Sequence, residues 1–236
     1  MVSWREHLHA HPELSFQEVN TSAFVASNLE ELGIPYQHGI VGTGVVALIK
    51  GRNPEKRCIA LRADLDALPI HESNDVPYKS KNEGVMHACG HDVHTTCLLG
   101  AAVVLNQLKN EFEGTITRIF QPGEERLPGG ASMMINEGVL ENPKVDKILA
   151  LHVYPSMDVG KVGFKPGLYM AACDELYLTI KGKGGHAALP QSTSDPILAT
   201  SAIVQSLQQI VSRKQNPFRQ GFKRRQIVSS RLGLIG

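Results

Sequence analysis

The chain predicts an α/β fold built on a mixed, largely parallel sheet with flanking helices. Three observations predict it. Short apolar runs at 45–49, 58–61 and 115–120 read as buried strands and, with a further strand at 147–153, alternate with helical patterns. The 42% hydrophobic content over 236 residues supports a sizeable core. The polar knots Asp64, Gln121 to Glu125 and His152 fall where strands end, which is where open α/β sheets build their sites.

Taken in order, Ser15-Phe16-Gln17-Glu18 reads as a capping box, with Ser15 accepting from the amide three residues on. Phe24, Val25, Leu29 and Leu32 then recur at helical spacing until Gly33. Two strands follow, ended by Gly51 and by Arg62-Ala63-Asp64. The loop 65–86 is long enough to imply a functional role. A helix from Asp92 to Leu108 puts Leu98, Ala101, Ala102 and Leu105 on one face. A strand, a short helix at 131–137 closed by Gly138, and the last strand complete a first domain at 1–172. A second domain, 173–236, is expected from Cys173 onward. There Leu176, Leu178 and Ile180 alternate with polar neighbours as in a half-exposed strand, and Gly182, Gly184 and Gly185 surround His186. Asp195 and Pro196 open a helix running to about Ser212.

The net charge of +1 argues against a polyanion-binding protein. The basic residues after Asp195, from Arg213 to Arg231, read as an incidental tail, with no nucleic-acid or membrane partner implied. No run approaches the roughly 20 apolar residues of a membrane span. No secretory h-region is visible, and four cysteines without a CxxC pair fit a cytoplasmic chain.

The chemistry concentrates in Met86-His87-Ala88-Cys89-Gly90-His91-Asp92-Val93-His94. Cys89 and His91, on a Gly-flexed loop before a helix, can turn to one side and bind borderline-soft ions. A cysteine nucleophile is the competing reading, since a helix N-terminus and a nearby His lower a thiol pKa. In Glu124-Glu125 the neighbouring side chains diverge, so one can ligate a metal while the other works as a general base. His152 follows a strand. Asp64 and Asp66 are each open to being a ligand, a support for a ligand His, or a turn residue. His186 sits in a turn that allows close approach to a ligand. His7, His9 and His11 read as a solvated helix end before Pro12.

Several segments together resemble the metal-dependent amidohydrolases that include hippurate hydrolase, auxin-conjugate hydrolases, N-acetyldiaminopimelate deacetylase and bacterial aminoacylases. They are Leu8-His9-Ala10-His11-Pro12-Glu13-Leu14-Ser15, the run from Ala60 to Ile70, the Met86 to His94 segment, Phe120 to Glu125, and Gly182 to Ala188. The resemblance implies a zinc-exopeptidase-like catalytic domain with a ferredoxin-like α+β lid that dimerises. It implies two divalent ions, Mn²⁺ or Zn²⁺, held by Cys89, His91, Glu125 and His152, with Glu124 as general base. His186 would polarise the substrate carbonyl, Asp64 would support the site, and the substrate would be an N-acyl amino acid. The family continues past the lid and supplies one more ligating histidine, whereas the text from Phe218 to Gly236 no longer resembles it. A chain cut within its lid, which at most binds metal, is therefore the alternative expectation.

Overall fold

The computed structural model describes residues 1–167, 169 and 176–210. The chain divides into two compact units, Met1–Asp158 and Val159–Gly236.

The first unit is a five-stranded sheet in the order β1-β2-β4-β3-β5. The strands are β1 (Tyr36–Ile40), β2 (Gly44–Lys50), β3 (Cys58–Asp64), β4 (Thr115–Gln121) and β5 (Lys147–Ala150). The β1/β2 and β2/β4 pairings are antiparallel, while β3 runs parallel to both β4 and β5. Thus β3, β4 and β5 share one direction and deliver their carboxyl ends to one edge. The mixed sheet with flanking helices is the class the sequence predicts. β1 escaped that reading because only Ile40 of its five residues is buried, so it carries no apolar run.

Alternation along the strands sends successive side chains to opposite faces. On one face Val45, Ala47, Ile49, Ala63 and Phe120 pack against Val25 and Leu29 of α2 (Val19–Glu31) and Leu98, Leu99 and Ala102 of α3 (His91–Gln107). On the other, Ile40, Ala60 and Ile119 pack against Met134 of α4 (Gly130–Asn136). The amino-terminal helix α1 (Val2–Ala10) lies against α3. No described helix is long and apolar enough to cross a membrane.

The capping box does not form. α2 begins only at Val19, and Ser15 donates its hydroxyl to Asp66 Oδ2 at 2.6 Å. Glu18 is buried and accepts from the amides of Phe16 (2.9 Å) and Gly123 (2.7 Å) and from Thr43 Oγ1 (2.7 Å). Long-range partners outcompeted the local motif, tying the entry of α2 to the turn after β4.

Arg118 on β4 has 0% exposure, stands in register between Ala47 and Leu61, and leaves Nε and Nη1 without partners. Nη2 alone donates, to the Ile116 carbonyl at 3.3 Å. Burial lowers its pKa to about 10. An unpaired charge in such a place is a stability cost, so Arg118→Met should raise stability by about 1–4 kcal/mol. Urea unfolding checks this, and a lower midpoint for the variant would contradict it.

In the second unit, α5 (Pro196–Gln209) starts as expected. Asp195 caps it by accepting from the amides of Ile197 (2.8 Å) and Leu198 (3.3 Å). The expected strand at 176–180 is not formed. Alternation specifies a face, but a strand also needs a ladder partner, and among the described residues the segment finds none. A single bridge, Lys183 to Ser194, closes the turn that carries His186. The expected boundary at Cys173 and the basic tail from Arg213 lie outside the described residues.

Candidate metal centre

The site grows from the shared edge of β3, β4 and β5. Asp64 ends β3, Gln121 ends β4 with Glu124 and Glu125 just beyond, and His152 follows β5 by two residues. Gly90 starts α3 with φ 88°, and a Cβ there would lie 2.4 Å from Val153 Cγ2. Only glycine allows both that dihedral and that approach. His91 and His94, three apart on the first turn of α3, then face the strand ends together.

Hydrogen bonds settle which ring nitrogens are free. His91 donates Nδ1–H to the Asp66 carbonyl at 2.8 Å, with Asp66 Oδ1 at 3.3 Å. Its Nε2 is buried and unpartnered, which leaves it as the ring nitrogen open to an ion. That atom lies 3.6 Å from Asp64 Oδ2, 3.7 Å from Glu125 Oε1 and 3.9 Å from Glu124 Oε2. Glu125 Oε1 is equally buried and unpartnered. His152 donates Nδ1–H to the Val153 carbonyl at 2.7 Å, leaving Nε2 3.3 Å from Cys89 Sγ. His94 differs, because it donates Nδ1–H to Asp64 Oδ1 (2.7 Å) and accepts from the Val153 amide at Nε2 (2.9 Å). With both nitrogens used, His94 positions Asp64 and has no lone pair left for an ion.

The result is an unpartnered ring nitrogen facing three carboxylate oxygens, an arrangement that calls for a cation, either a proton or a metal ion in its place. Two donors on one ion at roughly 2.0–2.2 Å and near-tetrahedral angles lie about 3.4 Å apart, close to the observed 3.7 Å between His91 Nε2 and Glu125 Oε1. Among the described residues three groups of candidate donors lie close enough together for one ion: Cys89, His91 and His152; Asp64, His91 and His94; His91, Glu124 and Glu125, and the spent nitrogens of His94 rule out the second. Every group contains His91. The donor set of thiol, imidazole and carboxylate suits a borderline ion such as Zn²⁺.

The electrostatics agree. Burial opposes charge on His91, yet Asp66 and the charges of Asp64 and Cys89 push its pKa up to about 11, so an ion bound at Nε2 would displace a proton. Burial also opposes ionising Asp64, but His94, His91 and Arg62 hold its carboxyl far below the usual range. Arg62 reaches it at 2.7 Å and anchors on Gln121 Oε1 at 2.9 Å. Burial, then the charge of Glu125, raises the pKa of Glu124, which suits a base. The neighbouring His91 favours the Cys89 thiolate, but burial and Glu125 outweigh it and hold the thiol above its ordinary value. That disfavours the nucleophile reading.

The structure therefore brings together Cys89, His91, Glu124, Glu125 and His152. His186 belongs to the second unit, where its Nδ1 accepts from the Ala188 amide at 3.1 Å. The reading of His9 as part of a solvated helix end is corrected. Its ring is buried between Asp92 Oδ2 (2.8 Å) and Glu72 Oε1 (3.0 Å), and Arg5 also reaches Asp92 at 2.9 Å. Both carboxylates accept, so His9 donates from both nitrogens and joins α1 to α3 and to the long loop. The signal in the sequence was the Asp92 beside His91, a charge that a buried first turn must neutralise.

This cluster predicts a pH window. Burial opposes ionising Glu72, but hydrogen bonds from His9, Ser80 and Asn74 push its pKa down to about 2 from 4.5, so its contribution is full above pH 4.5 and lost on acidification towards 2. The hydrogen bond to Asp92 raises His9 above 6.5 despite burial, so its contribution is full below pH 6.5 and lost as pH rises through the folded value. Stability from the pair therefore peaks between about 4.5 and 6.5. Glu72→Gln should cost about 3–5 kcal/mol there and flatten the acid limb of thermal unfolding. An unchanged acid limb would remove Glu72 from the network.

A model of peptidase family M20/M25/M40 matches residues 60–223. An N-acyl-L-amino acid amidohydrolase of Geobacillus stearothermophilus is 46% identical over 217 residues, covering 92% of this chain and 58% of the relative. N-acetyl-L-cysteine deacetylase of Bacillus subtilis is 47% identical, covering 92% and 51%. Thus the chain spans about half the length of the curated relatives it matches. Among solved structures, the Bacillus subtilis YXEP protein, described as a dinuclear metal-binding peptidase, aligns with TM-score 0.69 at 46% identity over 72% of this chain and 47% of its own. On these matches, and with the residues of the site converging as the motifs require, the chain belongs to peptidase family M20/M25/M40.

Proposed function

We propose that the protein hydrolyses the amide bond of N-acyl amino acids, using two divalent ions held by Cys89, His91, Glu125 and His152. The observation that carries the reading is the facing pair of buried, unpartnered donors, His91 Nε2 and Glu125 Oε1, 3.7 Å apart. The names of the amidohydrolase and deacetylase relatives support the substrate class. When bound, the ions would acidify water and polarise the scissile carbonyl. Glu124 takes a proton from the attacking water and returns it to the leaving amine as the C–N bond breaks, giving a carboxylic acid and a free amino acid. Asp66 and the Val153 carbonyl orient the His91 and His152 rings. His186 donates to the carbonyl oxygen as charge develops there. A homodimer formed through the second unit and a cytoplasmic location complete the proposal.

Elemental analysis after loading with Mn²⁺ or Zn²⁺ tests the centre. About two ions per chain are expected, fewer in Cys89→Ser. No bound metal, or content indifferent to Cys89→Ser, would refute the ligand set. Turnover of N-acyl amino acids should be assayed on this chain and on a version extended to the length of its relatives. Metal-independent turnover lost on thiol alkylation would favour the cysteine nucleophile instead.

A further inference from the structure

We propose that His7 and His11 form a separate site for one late first-row divalent ion, such as Zn²⁺, Ni²⁺ or Cu²⁺. The two residues stand four apart, at the end of α1 and its C-cap, so their rings leave the same face. The ring centroids are 4.6 Å apart with planes at 35°. Two imidazoles bound to one ion at roughly 2.0–2.1 Å place their centroids about 4.5–5 Å apart when the bonds meet between a right and a tetrahedral angle. The rings already stand at that separation.

One tautomer is fixed. His11 donates Nδ1–H to the His7 carbonyl at 2.8 Å, which leaves the Nε2 lone pair available, the arrangement typical of a ligating histidine. The His7 ring makes no hydrogen bond among the described residues, and Phe24 stacks on it at 4.5 Å. Both rings line an open cavity of about 340 Å³ together with Glu13, Asn20 and Asn82, which leaves room for an ion and its waters. The Glu13 carboxylate in its wall is held by Asn20 Nδ2 (2.7 Å) and Thr21 Oγ1 (2.9 Å). Lys81 also acts on His7 electrostatically. That like charge opposes any cation, so only an ion that gains strongly from imidazole nitrogen, rather than Mg²⁺ or Ca²⁺, suits the pair. An ion here would clamp the last turn of α1, the turn that carries His9 between Asp92 and Glu72.

Titration with Cu²⁺ tests the site, with ions counted by elemental analysis and nitrogen ligation read by electron paramagnetic resonance. The intact chain, His7→Gln and His11→Gln are compared. The intact chain should bind one ion more than either variant, with two-imidazole ligation, and losing one ring should weaken that ion roughly 10²-fold. Its thermal midpoint should rise with that ion, and neither variant's should. Circular dichroism confirms that the variants fold, which the exposure of His7 favours. Equal counts and affinities in all three chains would overturn the proposal, as would an extra ion whose signal survives both substitutions.

Discussion

Glu124→Gln is expected to lower turnover of an N-acyl amino acid by about 10²–10⁴-fold, the share that a positioned general base contributes. Metal content should stay unchanged. The side chain is half-exposed, so the swap to a neutral isostere of equal size should cost the fold little. Its Oε2 stands 3.9 Å from His91 Nε2, a little beyond the Glu125 oxygen, which leaves it free to meet water. Burial and Glu125 raise its pKa, so the pH–rate profile should fall on the acid side as Glu124 takes up a proton. Two assays separate the possible failures. Retained turnover with normal metal content would remove Glu124 from the base role. Lost turnover with lost metal would make it a ligand.

The elements with long apolar runs were legible in the sequence, and so was the place of the site. β2 to β5, α3 and the capped start of α5 follow from periodicity and from Gly, Asp and Pro punctuation. The convergence of Cys89, His91, Glu124, Glu125 and His152 follows from polar knots at strand ends. What escaped was set by partners distant in sequence. Ser15 and Glu18 have a local motif available, but Asp66, Thr43 and the Gly123 amide compete for them and win. His9 looks like a helix-end residue until Asp92, 83 positions away, and Glu72, 63 away, close on it. His94 stands on the same turn as His91, and only the Val153 amide shows that its second nitrogen is spent. Local pattern reports which face a residue takes, whereas the hydrogen-bond partner decides its job.

Asp66→Asn is expected to weaken metal binding by about 10–100-fold, the usual cost of losing a partner that orients a ligand. Asp66 contacts no ion in the proposed centre, yet it holds two of its ligands. Its carbonyl and Oδ1 face His91 Nδ1 at 2.8 and 3.3 Å, and Oδ2 accepts from the Glu125 amide at 2.9 Å and from Ser15 at 2.6 Å. The first turn of α3 and the turn after β4 are thereby locked to a single carboxylate with 0% exposure. Burial opposes its ionisation, but these hydrogen bonds hold its pKa below the ordinary value. An asparagine that turns its NH₂ towards the imidazole sets two N–H groups against each other, and one that turns it towards the Glu125 amide loses that bond. The fold should lose about 1–3 kcal/mol from the unpaired polar group. Ser15→Ala separates stability from positioning, because it removes one bond to Oδ2 and leaves both ligand contacts in place. If Asp66 positions the ligands, Ser15→Ala should lower the unfolding midpoint while metal affinity stays within a few-fold of the parent. Equal losses of affinity in both variants would instead reduce Asp66 to a structural carboxylate.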